Sequence, residues 1–404
     1  MKRRIVVTGV GAVTPLGNTA TDLAERWIAG EVGIEDGLGR CTEFDPLVYM
    51  TSKEVRRSDR FSQFAVASSM EAFTQAGWDD GIPYEAQRVG SVIGTGIGGL
   101  GSLEEQETIL RERGPRFVSP LAVPLLMGNA AAAAVAMRHG LHGQVYGLVS
   151  ACAAGANAIG AGARMIEAGD ADAVVTGGAE AALTGLSGAA FTRMGATSVT
   201  GISRPFDARR DGFVMGEGAG ALILEAAEAA EARGAEILGE VLGYGSTSDA
   251  HHLTAPEPTG KEASRAIKLA LEDANLGSED IDYVNAHGTS TPLNDPSETI
   301  AIKLALGEDA RRVPISSTKS STGHLLGASG AIEAIATLHA LRKGVAPPTL
   351  GLEEPDENCD LDYVPLKARP LERRQNGAGT KPLVAISNSV GFGGHNVVLC
   401  LSEG

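Results

Sequence analysis

VYGLVSACAAGANAIGAGARMIEAG, residues 145–169, decides the fold. It opens as a short apolar, β-rich run and passes without a spacer into an Ala/Gly-rich segment with small and apolar residues at helical spacing. A strand running directly into a helix is one link of an α/β layered protein, and the link recurs along the chain. Residues 89–96 (VGSVIGTG), 171–180 (ADAVVTGGAE) and 4–11 (RIVVTGVG) read as further buried strands punctuated by Gly, and residues 61–77 (FSQFAVASSMEAFTQAG) as a helix.

The second part repeats the scheme. Strands are expected at 237–245, 281–289, 313–321, 381–389 and 395–403, with helices at 260–276, 295–307 and 327–344. Such alternation means largely buried sheets between helical layers. The two runs of similar element order meet near residue 240, so an internal duplication into residues 1–240 and 241–404 is expected. No low-complexity linker separates them, so the halves should pack intimately.

Composition narrows the function class. The 404 residues include 43% hydrophobic, 21% charged and only 4% aromatic side chains, so a globular core must be built from Ala, Val, Leu and Ile. A formal net charge of −16 argues against nucleic acid, which selects a basic footprint. No run approaches the roughly 20 apolar residues of a membrane span. The start, MKRRIVVTGVGAVTPLG, is basic then apolar like a signal peptide, but its alternation and its Gly and Pro favour a buried first strand. Cys41, Cys152, Cys359 and Cys400 lack C-x-x-C spacing, which argues against zinc or a disulfide framework and suits a reducing cytoplasm.

Four stretches could carry chemistry. Gly94-Thr-Gly96-Ile-Gly98-Gly99 satisfies G-x-G-x-x-G, but a helix and a Pro-bounded loop follow it, with no second strand ending in an acid. A tight turn lining a cavity is the better reading. Cys152 sits where a strand ends and a helix begins, where the macrodipole should favour the thiolate and lower the pKa from about 8.5. Ala151, Ala153, Ala154 and Gly155 leave room for a substrate. Alone, this motif leaves open a nucleophile or a buried structural cysteine. VNAHGTSTPLND puts His287 at a strand end, and STKSSTGHLLGASGA puts Lys319 and His324 around a strand-to-helix transition. Either His alone fits a satisfied core histidine. Together, in Gly/Thr/Ser-rich loops beside a poised Cys, they compose one constellation. The adjacent His251 and His252 diverge, so no metal site is expected there.

The ordered set ACAAG, NAHGTSTPLND, KSSTGHLLGASGA and NSVGFGGHN resembles the β-ketoacyl-acyl-carrier-protein synthases of the thiolase superfamily, nearest to the elongating synthase II type. The likeness runs from Arg4 to Leu401, with support from FVSPLAVPLLMGN, GDADAVVTGGAEA, SRPFDARRDGFVMGEGAG and PPTLGLEEPDENCDLDYVP. The resemblance implies a thiolase-like duplicated α/β fold in five αβαβα layers, with the nucleophile in the first half and both histidines in the second. It implies that Cys152 takes an acyl group from the phosphopantetheine of an acyl carrier protein, and that malonyl carrier protein then condenses with it by decarboxylation. No cofactor beyond that carried arm is implied.

Carried over position by position, His287 and His324 stabilise the enolate, and the N–H groups of Cys152 and Phe392 form an oxyanion hole. Lys319, with its ion-pair partner Glu333, organises the histidine loop. Thr254, Thr289 and Thr291 match pantetheine-binding positions; Asp249 and Asp295 match residues that support the gating segments. Ile97 and Phe191 match the acyl pocket, with the Ile97 turn expected from the partner subunit of a homodimer. Lys53, Arg56 and Arg57 match carrier-docking positions, where a local basic cluster would steer an acidic carrier. His395 is expected to be structural.

The chain departs from the pattern in a shortened MGATSVTGISRPFD segment, a shortened first loop, and Val390 where Phe is common. Those departures bear on the acyl chain, so a dissociated polyketide or polyene ketosynthase, in a homodimer or a heterodimer with a chain-length subunit, stands beside fatty acid elongation. A non-catalytic chain-length subunit would lack Cys152, and a thiolase would carry a second cysteine in the last Gly-rich motif, here GFGGHN.

Overall fold

The computed structural model describes residues 3–376 and 379–404. Ten strands form one mixed sheet: β1 (Ile5–Val13), β2 (Val89–Gly94), β3 (Val145–Leu148), β4 (Ala173–Glu180), β5 (Gly218–Ala226), β6 (Gly239–Ser248), β7 (Tyr283–Asn285), β8 (Ile315–Ser316), β9 (Val384–Gly391) and β10 (His395–Glu403). The first five lie in the order β3-β2-β4-β5-β1 and the last five in the order β8-β7-β9-β10-β6. Each set has the same pattern, two parallel pairings at the outer edge followed by two antiparallel ones. The sets touch through a short antiparallel pairing of Val6 and Val7 with Glu240 and Gly239.

The helices that build the layers are α1 (Arg60–Gln75), α2 (Leu100–Arg113), α3 (Ala130–His139), α4 (Ala154–Glu167), α5 (Gly185–Met194), α6 (Lys261–Ala274), α7 (Asn294–Leu306) and α8 (Ser329–Lys343). Helices α1 and α3 cover one face of the first five strands, and α6, with α7 packed on it, covers one face of the last five. Helices α4 and α8 pack on each other between the two sets of five strands, completing the five αβαβα layers of a thiolase-like fold.

The small residues of the quoted stretch explain that middle layer. A Cβ on Gly155 would lie 2.8 Å from the Ala331 nitrogen, and one on Gly330 would lie 2.6 Å from the Ala156 nitrogen. Glycine at both crossings lets the helix backbones meet, with both helix starts held at one end of the sheets. Ile159, Ile166, Leu222, Ile332 and Leu399 fill the rest of that core, each worth about 1.5–3 kcal/mol when fully buried.

Three strand readings need correction, the first being 313–321, where only Ile315–Ser316 is strand and Lys319–Thr322 turns into a short helix. Gly218–Ala226 was not expected as a strand, because its Gly-Ala-Gly-Ala start gives no apolar alternation; it is fully buried between β1 and β4. Val145–Leu148 was expected to be buried, yet it is the edge strand, with Val145 and Tyr146 each 37% exposed. No helix among the described residues is long and apolar enough to cross a membrane.

Candidate active site

Cys152 stands between β3 and α4 on a sharp turn. Ala151 before it adopts a left-handed backbone (φ 50°), a costly conformation for a residue with a Cβ, and α4 begins at Ala154. The thiol is thereby aimed into a cavity of about 410 Å³, in the usual range for a small-molecule site. Ile97, Phe191, Phe213, His287, Thr289, His324 and Phe392 all line it. The Phe392 N–H, on the three-residue turn joining β9 to β10, acts on the Cys152 sulfur and draws its pKa down. Gly391 makes that approach feasible, since a Cβ there would sit 3.0 Å from the Ser150 carbonyl oxygen and 3.2 Å from the Cys152 nitrogen.

The expected lowering of the Cys152 pKa is overturned. Burial dominates and pushes the thiol up to about 12, with Glu180 adding to the rise and Lys319 and the Phe392 N–H opposing it. At neutral pH Cys152 therefore rests as a thiol.

His287 enters from the loop after β7, and His324 from the turn that follows the short helix Lys319–Thr322 beyond β8. Their ring centroids are 5.3 Å apart and their planes nearly perpendicular, at 86°. Burial and the Lys319 charge hold both imidazoles well below their ordinary pKa, and His324 adds to the effect on His287, so both are neutral donors at pH 7. His324 Nδ1 lies 2.9 Å from the Ser329 hydroxyl at the start of α8. With that hydroxyl donating, the ring proton resides on Nε2. The His324 backbone is pinned too, its N–H donating to Val214 O (2.7 Å) and its carbonyl accepting from Gly216 N–H (2.8 Å). Lys319 is 1% exposed and pairs with the equally buried Glu333; burial pushes Glu333 up and Lys319 pulls it back.

The cavity is polar at one end and apolar at the other. Thr254, Thr289, Thr291 and Asn294 line the polar part, the Thr289 and Thr291 hydroxyls 3.0 Å apart. His252 Nδ1 accepts from the Thr254 and Ala255 N–H groups, each at 3.1 Å, so this histidine shapes the loop. Asp249 accepts from Glu257 N–H (3.0 Å) and Asn396 Nδ2 (2.6 Å), tying that loop to the β9–β10 hairpin. Asp295 is fully buried on α7 outside the cavity, where it accepts the Phe206 N–H at 2.8 Å; burial raises its pKa to about 6. At the apolar end, Phe191 meets Phe213 edge to face at 5.4 Å and Phe392 at 6.4 Å.

Ile97 lines the same cavity as Cys152 of its own chain, so the expectation that this turn comes from a partner subunit is corrected. Val390 also lines the cavity, and His395 sits on the hairpin opposite Ser248. Lys53, Arg56 and Arg57 lie on an exposed helical turn outside the cavity, with no ion-pair partner among the described residues.

Several contributors escaped the sequence reading. Phe213 bridges Phe191 and His324, its ring 5.4 Å from that histidine. Glu298 on α7 accepts the N–H groups of His287 and Gly288, both at 2.8 Å, and the Asn388 side-chain amide at 3.1 Å. Glu180, at the end of β4, is fully buried and holds the Gly96 turn. An acid closing an otherwise apolar strand, as in AVVTGGAE, was the available signal for Glu180. Glu298 gave none, since an acid within DPSETIAIKLAL reads as a solvated helix face.

Similarity to known proteins extends over the whole chain. Residues 37–230 match the N-terminal domain of β-ketoacyl synthases and residues 238–353 match their C-terminal domain. The chain is 48% identical to a 3-oxoacyl-[acyl-carrier-protein] synthase 2 of Synechocystis sp., covering 100% of this chain and 98% of that one. It is 43% identical to the synthase 2 of Staphylococcus aureus, over 99% of this chain and 98% of that one. Among solved structures, a β-ketoacyl synthase from Burkholderia phymatum superposes with a TM-score of 0.90 at 34% identity, with 100% of both chains covered. A type II polyketide ketosynthase, solved with its acyl-carrier protein and a bound hexaketide, superposes at 0.88 and 32% identity, also covering 100% of both. This chain belongs to the β-ketoacyl synthase family.

Proposed function

We propose that this chain is an acyltransferase that performs the decarboxylative condensation of fatty acid elongation, with Cys152 as nucleophile. The observation that carries the reading is a pair of buried, neutral, mutually perpendicular imidazoles in the same cavity as a thiol that a backbone N–H already engages. In the first half-reaction the Cys152 sulfur attacks the thioester carbon of an acyl carrier protein. A C–S bond forms, the Cys152 proton departs, and the phosphopantetheine thiol leaves. Negative charge on the tetrahedral oxygen falls near the Phe392 and Cys152 N–H groups.

In the second, malonyl carrier protein occupies the arm site beside Thr254, Thr289 and Thr291. The bond to its carboxylate breaks and carbon dioxide departs. The electron pair becomes an enolate whose oxygen receives N–H donors from His287 and His324, in a site dry enough for each donor to count fully. The enolate carbon attacks the acyl carbonyl on Cys152, and collapse expels the Cys152 sulfur, which recovers a proton. The product is a 3-oxoacyl carrier protein.

We assign Lys319 and Glu333 to holding the histidines neutral and in place. Asp249 and Asp295 support the loops, and Ile97 and Phe191 contact the acyl tail. The nucleophile is contributed by residues 1–240 and both histidines by 241–404, consistent with a division near residue 240. Acyl carrier protein docks on Lys53, Arg56 and Arg57, whose unpaired positive charge suits an acidic partner on a chain of net charge −16. The open, half-apolar edge of β3, continued by Val149 at 61% exposure, favours a homodimer that covers it. A thiol nucleophile calls for a reducing compartment, and the cytoplasm fits.

A ketosynthase of a dissociated polyketide pathway is the second reading. It is favoured by the hexaketide-bound structural neighbour and by the smaller Val390, and a heterodimer with a chain-length subunit would belong to it. Turnover profiled against saturated and poly-keto acyl carriers separates the two. Preference for saturated chains supports elongation; turnover of poly-keto chains alone contradicts it.

A further inference from the structure

Glu180 is a fully buried carboxylate with no Lys or Arg within ion-pair distance among the described residues. An ionised carboxylate out of water is costly unless hydrogen bonds replace its hydration. Here four do. The Thr95 hydroxyl donates at 3.0 Å, and the Gly96 and Ile97 N–H groups at 2.7 and 3.3 Å, all from the turn after β2. The fourth donor, the Gly327 N–H at 3.1 Å, comes from the other half of the chain, three residues after His324.

The backbone is shaped around this carboxylate. A Cβ on Gly96 would lie 2.7 Å from a Glu180 oxygen, and one on Gly327 would lie 2.1 Å from the Gly96 nitrogen and 2.8 Å from that same oxygen. Each bound segment presents an apolar side chain to the cavity, Ile97 on one side and Leu326 on the other. Leu326 adopts a left-handed backbone (φ 48°) and therefore needs a strong local restraint, which the neighbouring Gly327 bond supplies. The G-x-G-x-x-G match at 94–99, which binds no nucleotide in the proposed reaction, is thus the half of a carboxylate clamp that faces the acyl tail.

We infer that Glu180 is a positioning residue that couples the acyl-tail turn to the His324 loop, so that a long tail against Ile97 sets the histidine for condensation. The inference rests on the proposed reaction and adds to it a link between tail length and the second half-reaction. The carboxylate accepts from both segments at once, so ordering one orders the other without a contact between tail and histidine.

The test begins with the wild-type chain loaded on Cys152 with either an acetyl or a dodecanoyl group from acyl carrier protein. Hydrogen exchange is then followed in the peptide spanning residues 323–328. The coupling predicts exchange at least about fivefold slower with dodecanoyl than with acetyl, the low end of typical site-to-site coupling. Equal exchange with both adducts in place overturns it. Absence of any adduct on Cys152 overturns the reaction itself, and the coupling with it.

Glu180→Gln then separates positioning from bulk stability. Its amide cannot accept from every donor, so kcat for condensation should fall about tenfold or more while acyl transfer to Cys152 changes little, and the preference among chain lengths should flatten. Glu225→Gln is the control. Glu225 is equally buried, with Arg233 at 2.6 Å, and lies outside the cavity, so its variant should keep the wild-type ratio of the two half-reactions. If Glu180→Gln keeps that ratio and the chain-length profile, the coupling is wrong.

Discussion

Replacing His324 by Ala should damage one half-reaction and spare the other. Its ring centroid stands 5.3 Å from that of His287, and with the Ser329 hydroxyl donating to Nδ1 the proposed mechanism uses Nε2–H as the donor to the enolate oxygen. Losing one such preorganised donor costs about 2.7–4 kcal/mol, or roughly a hundred- to a thousandfold in rate. Acyl transfer to Cys152 develops its charge near the Phe392 N–H and should stay within about an order of magnitude of wild type. Ser329→Ala offers a graded companion. It removes a neutral hydrogen bond worth about 0.5–1.5 kcal/mol, so condensation should slow by roughly two- to tenfold. The assay follows the acyl adduct by intact mass and carbon dioxide release from malonyl carrier protein, in the same preparations. Equal loss in both half-reactions of His324→Ala would refute the division of labour.

Lys319→Met leaves Glu333 buried without its partner and should destabilise by about 3–5 kcal/mol, read as a lower denaturation midpoint; Lys319→Met/Glu333→Gln should recover part of it, and an additive double variant would argue against a pair. The depressed histidine pKa values keep both imidazoles neutral as pH falls through their ordinary value of 6.5, so condensation should persist there, and an acid limb centred at 6.5 would contradict this. Their contribution to stability carries the matching sign. The unfolded chain binds protons below 6.5 and the folded site resists them, so stability declines as pH falls from that point. With its thiol near 12, Cys152 in the free enzyme should react with iodoacetamide faster with every pH unit past 9, and a plateau by pH 8 would be the wrong outcome. Charge reversal at Arg56 and Arg57 should raise KM for carrier-bound substrate and leave a small thioester unaffected; equal effects would count against docking there.

Much of this was legible in the sequence because small residues and chemistry coincide. The Ala/Gly pattern of 151–169 is at once a close-packed helix start and a setting for a nucleophile, so one reading served both fold and site. His287 and His324 were legible because both stand in Gly-rich loops, His287 just past a strand and His324 just past a short helix. The β5 strand was missed where Gly and Ala replace apolar alternation. The edge position of β3 depends on pairing that no local pattern encodes. The Cys152 pKa went the wrong way because a helix start is visible in sequence, whereas burial on every side is a property of the assembled layers. Glu180 and Glu298 look like ordinary acids until the fold surrounds them with N–H groups from distant segments.

The central claim is that Cys152 carries the acyl group. Incubating the chain with acyl carrier protein bearing a saturated chain, then measuring intact mass and mapping the peptides, tests it most directly. The account predicts a single acyl adduct on Cys152, absent from Cys152→Ala and discharged when malonyl carrier protein is added. An adduct on Cys41, Cys359 or Cys400, or one that survives Cys152→Ala, would contradict it.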